Sequence, residues 1–276
     1  MDISIDFGIT VTDIIKRDKG ILSHEMTLSK EEPSLSLLNK LFPDINFKSD
    51  VNILAVTGGK HLNIGNKIES TKVIHVNEID AVGEGAMNLS GLSYKNPIII
   101  VSAGSGTACI LAQKGNFVHC SGTGVGGGTV LGLSKLLLGT TDPVEIAELA
   151  KAGNESGVDL ILEDVVSGPI GELPPDTTAV NFGKISKIDS EISKQDIAAG
   201  IVNLVGQTAA RVATSVATTF NATEIVVVGR SPSFNGLKNS LEQAASIMGF
   251  SPHFPKNGEY ASALGALLVA EKNPSD

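Results

Sequence analysis

Apolar and polar residues alternate from the first positions. Ile3, Ile5 and Phe7 are separated by Ser4 and Asp6, the period-two pattern of a strand. A turn leads into Val11–Ile15, Lys16-Arg-Asp-Lys-Gly20 makes a charged hairpin tip, and Ile21–Leu28 reads as a third strand. Pro33-Ser34 starts a helical stretch through Leu41. Two further strands follow: Val51–Val56, ending in Thr57-Gly-Gly59, and Lys72–Val76, ending at Asn77-Glu78. Small residues from Asp80 to Leu92 predict a helix.

After a polar break at 93–96 the same grammar returns. Pro97–Val101 is an apolar strand that empties into Ser102-Ala-Gly-Ser-Gly-Thr107, followed by Ala108–Ala112, a Lys114-Gly115 hairpin and Phe117–Cys120. Two halves that each begin strand, turn, strand, hairpin, strand suggest a duplicated fold around a central cleft. Beyond them the pattern predicts helices at 126–138, 143–152, Gln195–Phe220 and Gly258–Glu271, with a buried strand at Glu224–Gly229. Consecutive prolines make Glu172–Asp176 a loop. The Ala- and Val-rich 195–220 helix either packs against a copy of itself or lies in the core.

Composition narrows the class. The 276 residues are 42% hydrophobic and 18% charged, as expected for a soluble globular chain of one large or two modest domains. Aromatics make up 4% with no Trp, so the core rests on Ile, Leu, Val and Ala. A net charge of −9 argues against a nucleic-acid or anionic-membrane partner, but not against ATP, whose phosphates are bound by local N–H groups and a metal ion. No secretory segment precedes the first strand and no apolar run reaches membrane length, so a cytoplasmic location is expected. Cys109 and Cys120 lie in apolar stretches and read as buried hydrophobes.

The chemistry-bearing signal is glycine. The turn Gly104-Ser-Gly-Thr107 and the cluster Ser121-Gly-Thr-Gly-Val-Gly-Gly-Gly-Thr129, which opens a helix, both present backbone N–H groups at close range. About twenty residues apart, they suggest a phosphate clamp, and with Asp6-Phe-Gly-Ile-Thr10 they make nucleotide binding the leading hypothesis. Asp6, at a strand end before a glycine, is positioned to hold Mg2+ through water. His75 and Glu78 are spaced as metal ligands can be, but no third ligand is evident.

The order Asp6-Phe-Gly-Ile-Thr10, Thr57-Gly-Gly59, Asn77-Glu-Ile-Asp-Ala81, Gly104-Ser-Gly-Thr107 and Gly122-Thr-Gly-Val-Gly-Gly-Gly128 resembles type II pantothenate kinases. So do Pro174-Pro-Asp-Thr-Thr-Ala-Val-Asn-Phe-Gly183 and Asn257-Gly-Glu-Tyr-Ala-Ser-Ala-Leu-Gly-Ala266. The likeness spans nearly the whole chain. It implies an α/β, two-domain actin-like ATPase (ribonuclease H-like) fold, each domain a mixed sheet flanked by helices. Residues 1–95 would form the first domain and 96–276 the second, with the last helix packing back on the first.

The implied reaction moves the ATP γ-phosphoryl group to the primary hydroxyl of pantothenate, in a homodimer using ATP and Mg2+. The alternatives are another small hydroxyl acceptor, or a nucleotide-binding regulator with little turnover. Carried onto this sequence, Glu78 is the general base and Asp6 the metal-holding carboxylate. Gly8, Thr10, Gly104, Ser105, Gly106, Thr107, Gly124, Gly126, Gly127, Gly128 and Gly229 contact the nucleotide; His119, Ser121 and Gly122 contact the acceptor. Residues near Pro252-His-Phe254 would serve the acceptor pocket of the partner chain. Arg230 belongs to the adenosine pocket or to the surface.

The chain departs from the family pattern Asp-x-Gly-Gly-Thr-x-x-Lys: Ile9 stands for the second glycine and Asp13 for the lysine. An anion facing phosphate should weaken ATP binding unless another cation, such as Lys60, compensates. His119 stands where the family carries an arginine, marking either a changed acceptor or an ordinary strand histidine.

Overall fold

The computed structural model describes residues 1–168, 170–187 and 191–272. The opening meander is β1 (Asp2–Phe7), β2 (Val11–Asp18) and β3 (Ile21–Leu28). It is extended by β4 (Ile53–Gly58), β5 (Lys67–Ile68) and β6 (Thr71–His75) into a sheet of order β3-β2-β1-β4-β6-β5. β4 runs parallel to both β1 and β6. Ile3, Ile5 and Phe7 point to one face, where α1 (Leu35–Leu41) and α2 (Phe47–Asp50) supply Leu38, Phe42 and Phe47. The alternate positions are also covered. Ser4 is fully buried and its Oγ donates to the Ala263 carbonyl at 2.6 Å.

The second sheet contains β7 (Ile98–Ala103), β8 (Thr107–Gln113), β9 (Asn116–Thr123) and β12 (Glu224–Val228), in the order β12-β7-β8-β9. β7 is parallel to β12 and antiparallel to β8, as β1 is to β4 and β2, so the first four strands of each sheet share one topology. A small hairpin, β10 (Leu160–Ile161) with β11 (Thr178–Val180), lies outside both sheets.

α3 (Glu78–Ser90) covers one face of the second sheet, and α7 (Lys194–Thr219) with α8 (Asn235–Ile247) the other. α4 (Gly127–Leu137) and α5 (Pro143–Ala152) pack on α7, α6 (Leu162–Val165) lies beside the β10–β11 hairpin, and α9 (Ala261–Lys272) packs on the first sheet. α7 is a core helix. Its Ala209, Ala210, Ala213 and Ala217 pack with β7, β12 and α8 inside the chain, so these small residues are used within the fold. α8 is an addition to the elements expected from sequence, although Leu237, Leu241, Ala244 and Ala245 recur at helical spacing and are buried.

Two helices join the sheets. α3 leads out of the first sheet, and α9 returns across it, burying Ala263 and Leu267 with Ile15 and packing Ala266 and Ala270 with Ala55. They cross at glycines. A Cβ on Gly85 would land on the Ala261 carbonyl oxygen, and one on Gly265 on the Ala81 carbonyl oxygen. Backbone touches backbone at this crossing, which holds the two sheets at a fixed approach.

Candidate active site

Asp6 is the penultimate residue of β1 and shares the α9-facing side of that strand with Ser4, so alternation aims it at the first turn of α9. The Ser262 hydroxyl lies near its carboxylate and favours the charged form. Gly58, its neighbour on β4 with φ of +84°, makes the room: a Cβ there would strike Asp6 Oδ1. Burial, and then the charges of Glu78 and Asp13, push the Asp6 carboxyl up to about 7. The neighbouring Ser262 hydroxyl and the Arg230 charge oppose that rise. A carboxylate so short of positive charge fits a bound divalent cation. No cluster of three metal-ligating side chains exists among the described residues, so such an ion would keep oxygens from phosphate and water, as Mg2+ does.

The two glycine clusters form one surface. Gly126 has no space for a side chain against Gly106 and Ser105, and Thr107 Oγ1 donates to the Val125 carbonyl at 2.9 Å. Thr10 Oγ1 and Ser105 Oγ lie 3.0 Å apart, linking the first hairpin to the second. One expectation changes here. The Gly127 and Gly128 amides donate to the Gly104 and Ser105 carbonyls, each at 2.9 Å, and the Gly126 amide to Thr129 Oγ1 at 3.2 Å. These N–H groups are therefore committed to the fold, and the glycines serve close packing of α4 on the turn. The Ser105 and Gly106 amides, by contrast, have no acceptor among the described residues. Gly124 faces open space.

Gly229 follows β12 with φ of +97° and is pressed against Ala103, a position for glycine alone. Beside it lies a pocket of about 210 Å3, lined by Val227, Gly229, Ser233, Lys238, Phe254 and Glu259. Of the 252–254 segment, Phe254 lines this pocket. His253 pairs with β12, its amide donating to Ile225 O and its carbonyl accepting from Val227, both at 2.8 Å.

Glu78 opens α3 behind the Asn77 N-cap, with an exposed carboxylate whose charge reaches Asp6. His75, one turn earlier in the chain, directs Nε2 to the Gly65 carbonyl at 2.9 Å. His119, Ser121 and Gly122 lie on the edge strand β9. A bulge opposite Cys109 inserts Cys120 between His119 and Ser121, so His119 pairs with Ile110 and Ser121 with Cys109. His119 is exposed and its Nε2 lies beside Gly122. Phe117, two residues earlier on the same face, packs onto Gly83 of α3. Cys109 is buried, and its thiol is pushed up to about 12 by desolvation.

The departures from the expected pattern have a structural account. Ile9 sits 84% exposed at the hairpin without positive φ, so glycine is not required there. Asp13 is buried on β2 opposite Asp6, where its Oδ1 accepts from Arg230 Nη2 at 2.6 Å and meets His24 Nε2 at 2.7 Å. The His24 ring stacks on Tyr260 at 4.4 Å. Lys60, the cation suggested by sequence, is paired with Glu32 at an exposed site. Arg230, left open between pocket and surface, is the residue that crosses to the first sheet. Ser231 beside it donates to the Gly104 carbonyl at 2.8 Å. Nothing in local sequence links Arg230 to Asp13, 217 residues away, or Ser262 to Asp6.

Comparison with known proteins agrees with this architecture. Type II pantothenate kinase from a strain of Bacillus cereus is 30% identical over 278 residues, covering 99% of each chain. The enzyme of that name from Bacillus anthracis is 29% identical over 277 residues, again 99% of each. Among solved structures, component A of (R)-2-hydroxyglutaryl-CoA dehydratase from Acidaminococcus fermentans superposes with a TM-score of 0.66 at 18% identity, covering 100% of this chain and 99% of that one. A ROK family glucokinase from Streptomyces griseus, in complex with glucose and AMPPNP, gives 0.60 at 12% identity over 98% and 99%. These two establish the actin-like ATPase fold. The Fumble family model matches residues 87–269, and with full-length identity to the Bacillus enzymes this chain belongs to the Fumble family, the type II pantothenate kinases.

Proposed function

We propose that this chain is an ATP-dependent kinase that phosphorylates the primary hydroxyl of pantothenate, giving 4'-phosphopantothenate for coenzyme A synthesis. The observation that carries the reading is the set Asp6, Glu78 and the joined 104–107 and 124–128 loops, in a chain of full-length kinase likeness. In this reading the Ser105 and Gly106 amides and the Thr10 and Ser105 hydroxyls bind phosphate oxygens. The adenosine enters the pocket beside Gly229. Glu78, exposed and free of protein partners among the described residues, takes the acceptor proton as the hydroxyl attacks the γ-phosphorus and the bond to the β,γ-bridging oxygen breaks, releasing ADP. Asp6 holds Mg2+, which neutralises phosphate charge when bound.

His119, Ser121 and Gly122 on β9 are assigned to the acceptor. His119 brings no permanent charge where the family carries arginine, and that favours a second reading in which a related hydroxyl compound is preferred. Asp13 does not favour a turnover-free regulator, because Arg230 compensates its charge. The family likeness also proposes a homodimer, which sedimentation of the purified protein tests. The deciding experiment for function is detection of 4'-phosphopantothenate by mass after incubation with MgATP and pantothenate. Its formation, abolished by Glu78→Gln, supports the reading. Phosphorylation of another alcohol, with pantothenate inert, transfers the assignment to that acceptor.

A further inference from the structure

The nucleotide cleft carries three carboxylates, Asp6, Asp13 and Glu78, and the cation whose charge bears on Asp6 is Arg230. A tetraanionic triphosphate entering such a site needs a protein cation at its terminal end. Arg230 is built to supply one. Its backbone is fixed: Gly229 is wedged on Ala103, Ser231 is bonded to Gly104, and Ser233 Oγ donates to the Arg230 carbonyl at 2.6 Å. Its side chain has donors to spare. A guanidinium offers five N–H donors, and in Arg230 Nη2 alone has a protein acceptor among the described residues. The side chain is 35% exposed along the cleft, whereas Asp13 is 9% exposed. The pair therefore joins a buried anion on β2 of the first sheet to a partly exposed cation with unused donors at the exit of β12 in the second.

We propose that Arg230 is the phosphate-binding cation of this chain, delivered from the second domain to the terminal phosphate of ATP and held on Asp13 until nucleotide enters. This rests on the kinase reading of the cleft. Asp13 then acts as a positioning residue that competes with phosphate for the guanidinium. It sets ATP affinity downwards and makes it sensitive to the number of phosphates. With nucleotide bound, His24, already bonded to the same carboxylate oxygen, remains as the partner of Asp13. The two substitutions have opposite signs. Loss of Arg230 removes a bidentate contact, and loss of the Asp13 charge removes a competitor.

Calorimetric titration of the full chain with MgATP and with MgADP tests this without any acceptor. Arg230→Gln should weaken MgATP by about ten- to a hundredfold, the scale of a charge-assisted hydrogen-bonded pair, and MgADP by less than about threefold. Asp13→Asn, which keeps the shape and a carbonyl acceptor, should tighten MgATP. Arg230→Lys keeps the charge and should retain part of the preference for ATP, so the inference stays testable if Arg230→Gln does not fold. Equal loss of both nucleotides, or unchanged binding, in Arg230→Gln overturns the proposal, as does weaker MgATP binding by Asp13→Asn. Intact discrimination by Arg230 with no pantothenate phosphorylation overturns the acceptor assignment alone. Absence of nucleotide binding by the unaltered chain overturns both.

Discussion

Replacing Asp6 by Asn should stabilise the metal-free protein, and more at pH 8 than at pH 5. The Asp6 carboxyl titrates near 3.8 when solvated and is pushed up to about 7 in the fold, by burial and by Glu78 and Asp13. Between those values the folded state binds more protons than the unfolded state, so the native state loses stability as pH rises through this window. At 1.36 kcal/mol per pH unit, the ionised group costs roughly 4 kcal/mol at pH 8. At pH 5 the folded carboxyl is largely protonated and the cost falls to about 1.5 kcal/mol. An amide of the same shape carries no such cost at either pH. Urea unfolding of parent and Asp6→Asn, without divalent cations, should therefore show a gap larger by about 2–3 kcal/mol at pH 8. Added Mg2+ should narrow the gap by stabilising the parent, whereas turnover of the variant should be lost. An equal gap at both pH values, or a variant less stable than its parent at pH 8, would refute the reasoning.

Glu78→Gln should lower kcat by about two to four orders of magnitude while MgATP affinity changes little, as read by steady-state kinetics and calorimetry. Gly265→Ala should destabilise the fold by about 1–3 kcal/mol or more, because the new Cβ meets backbone at the α3–α9 crossing; thermal unfolding measures it. Asp159→Ala should cost roughly 3 kcal/mol or more, seen in the same assay. That buried carboxylate accepts from the Phe182 amide at 2.7 Å and from Asn203 at 3.0 Å, and its removal orphans both donors.

Much of the fold is legible because it is written in local periodicity. Ile3, Ile5 and Phe7 face one way whatever surrounds them, and the strand-turn-hairpin order at 97–120 repeats that of the first meander; each sheet follows from short-range alternation. The elements expected at 80–92 and 195–220 form within two residues of those bounds. α8 has a readable stripe in Leu237, Leu241 and Ala245, but the polar residues between them dilute it below the contrast of its neighbours. The candidate site is legible as a set of turns. The Gly104–Thr107 and Gly126–Gly128 turns pack on each other, and steric need for glycine at 58, 126 and 229 is of the kind that sequence clusters announce.

Which donors remain for a ligand was decided by tertiary structure alone. The Gly127 and Gly128 amides go to the turn at 104–105, a partner choice fixed only when α4 docks. The polar face of β1 looks half-exposed in sequence, and its burial depends on α9, some 260 residues later. Charge is the least legible property. Asp13 alone reads as a defect in a phosphate site; paired with Arg230 it is a compensated ion pair across the cleft. Sequence records each charge at its own position, while Coulomb energy depends on distance and burial, and those exist only after the two sheets have closed on each other.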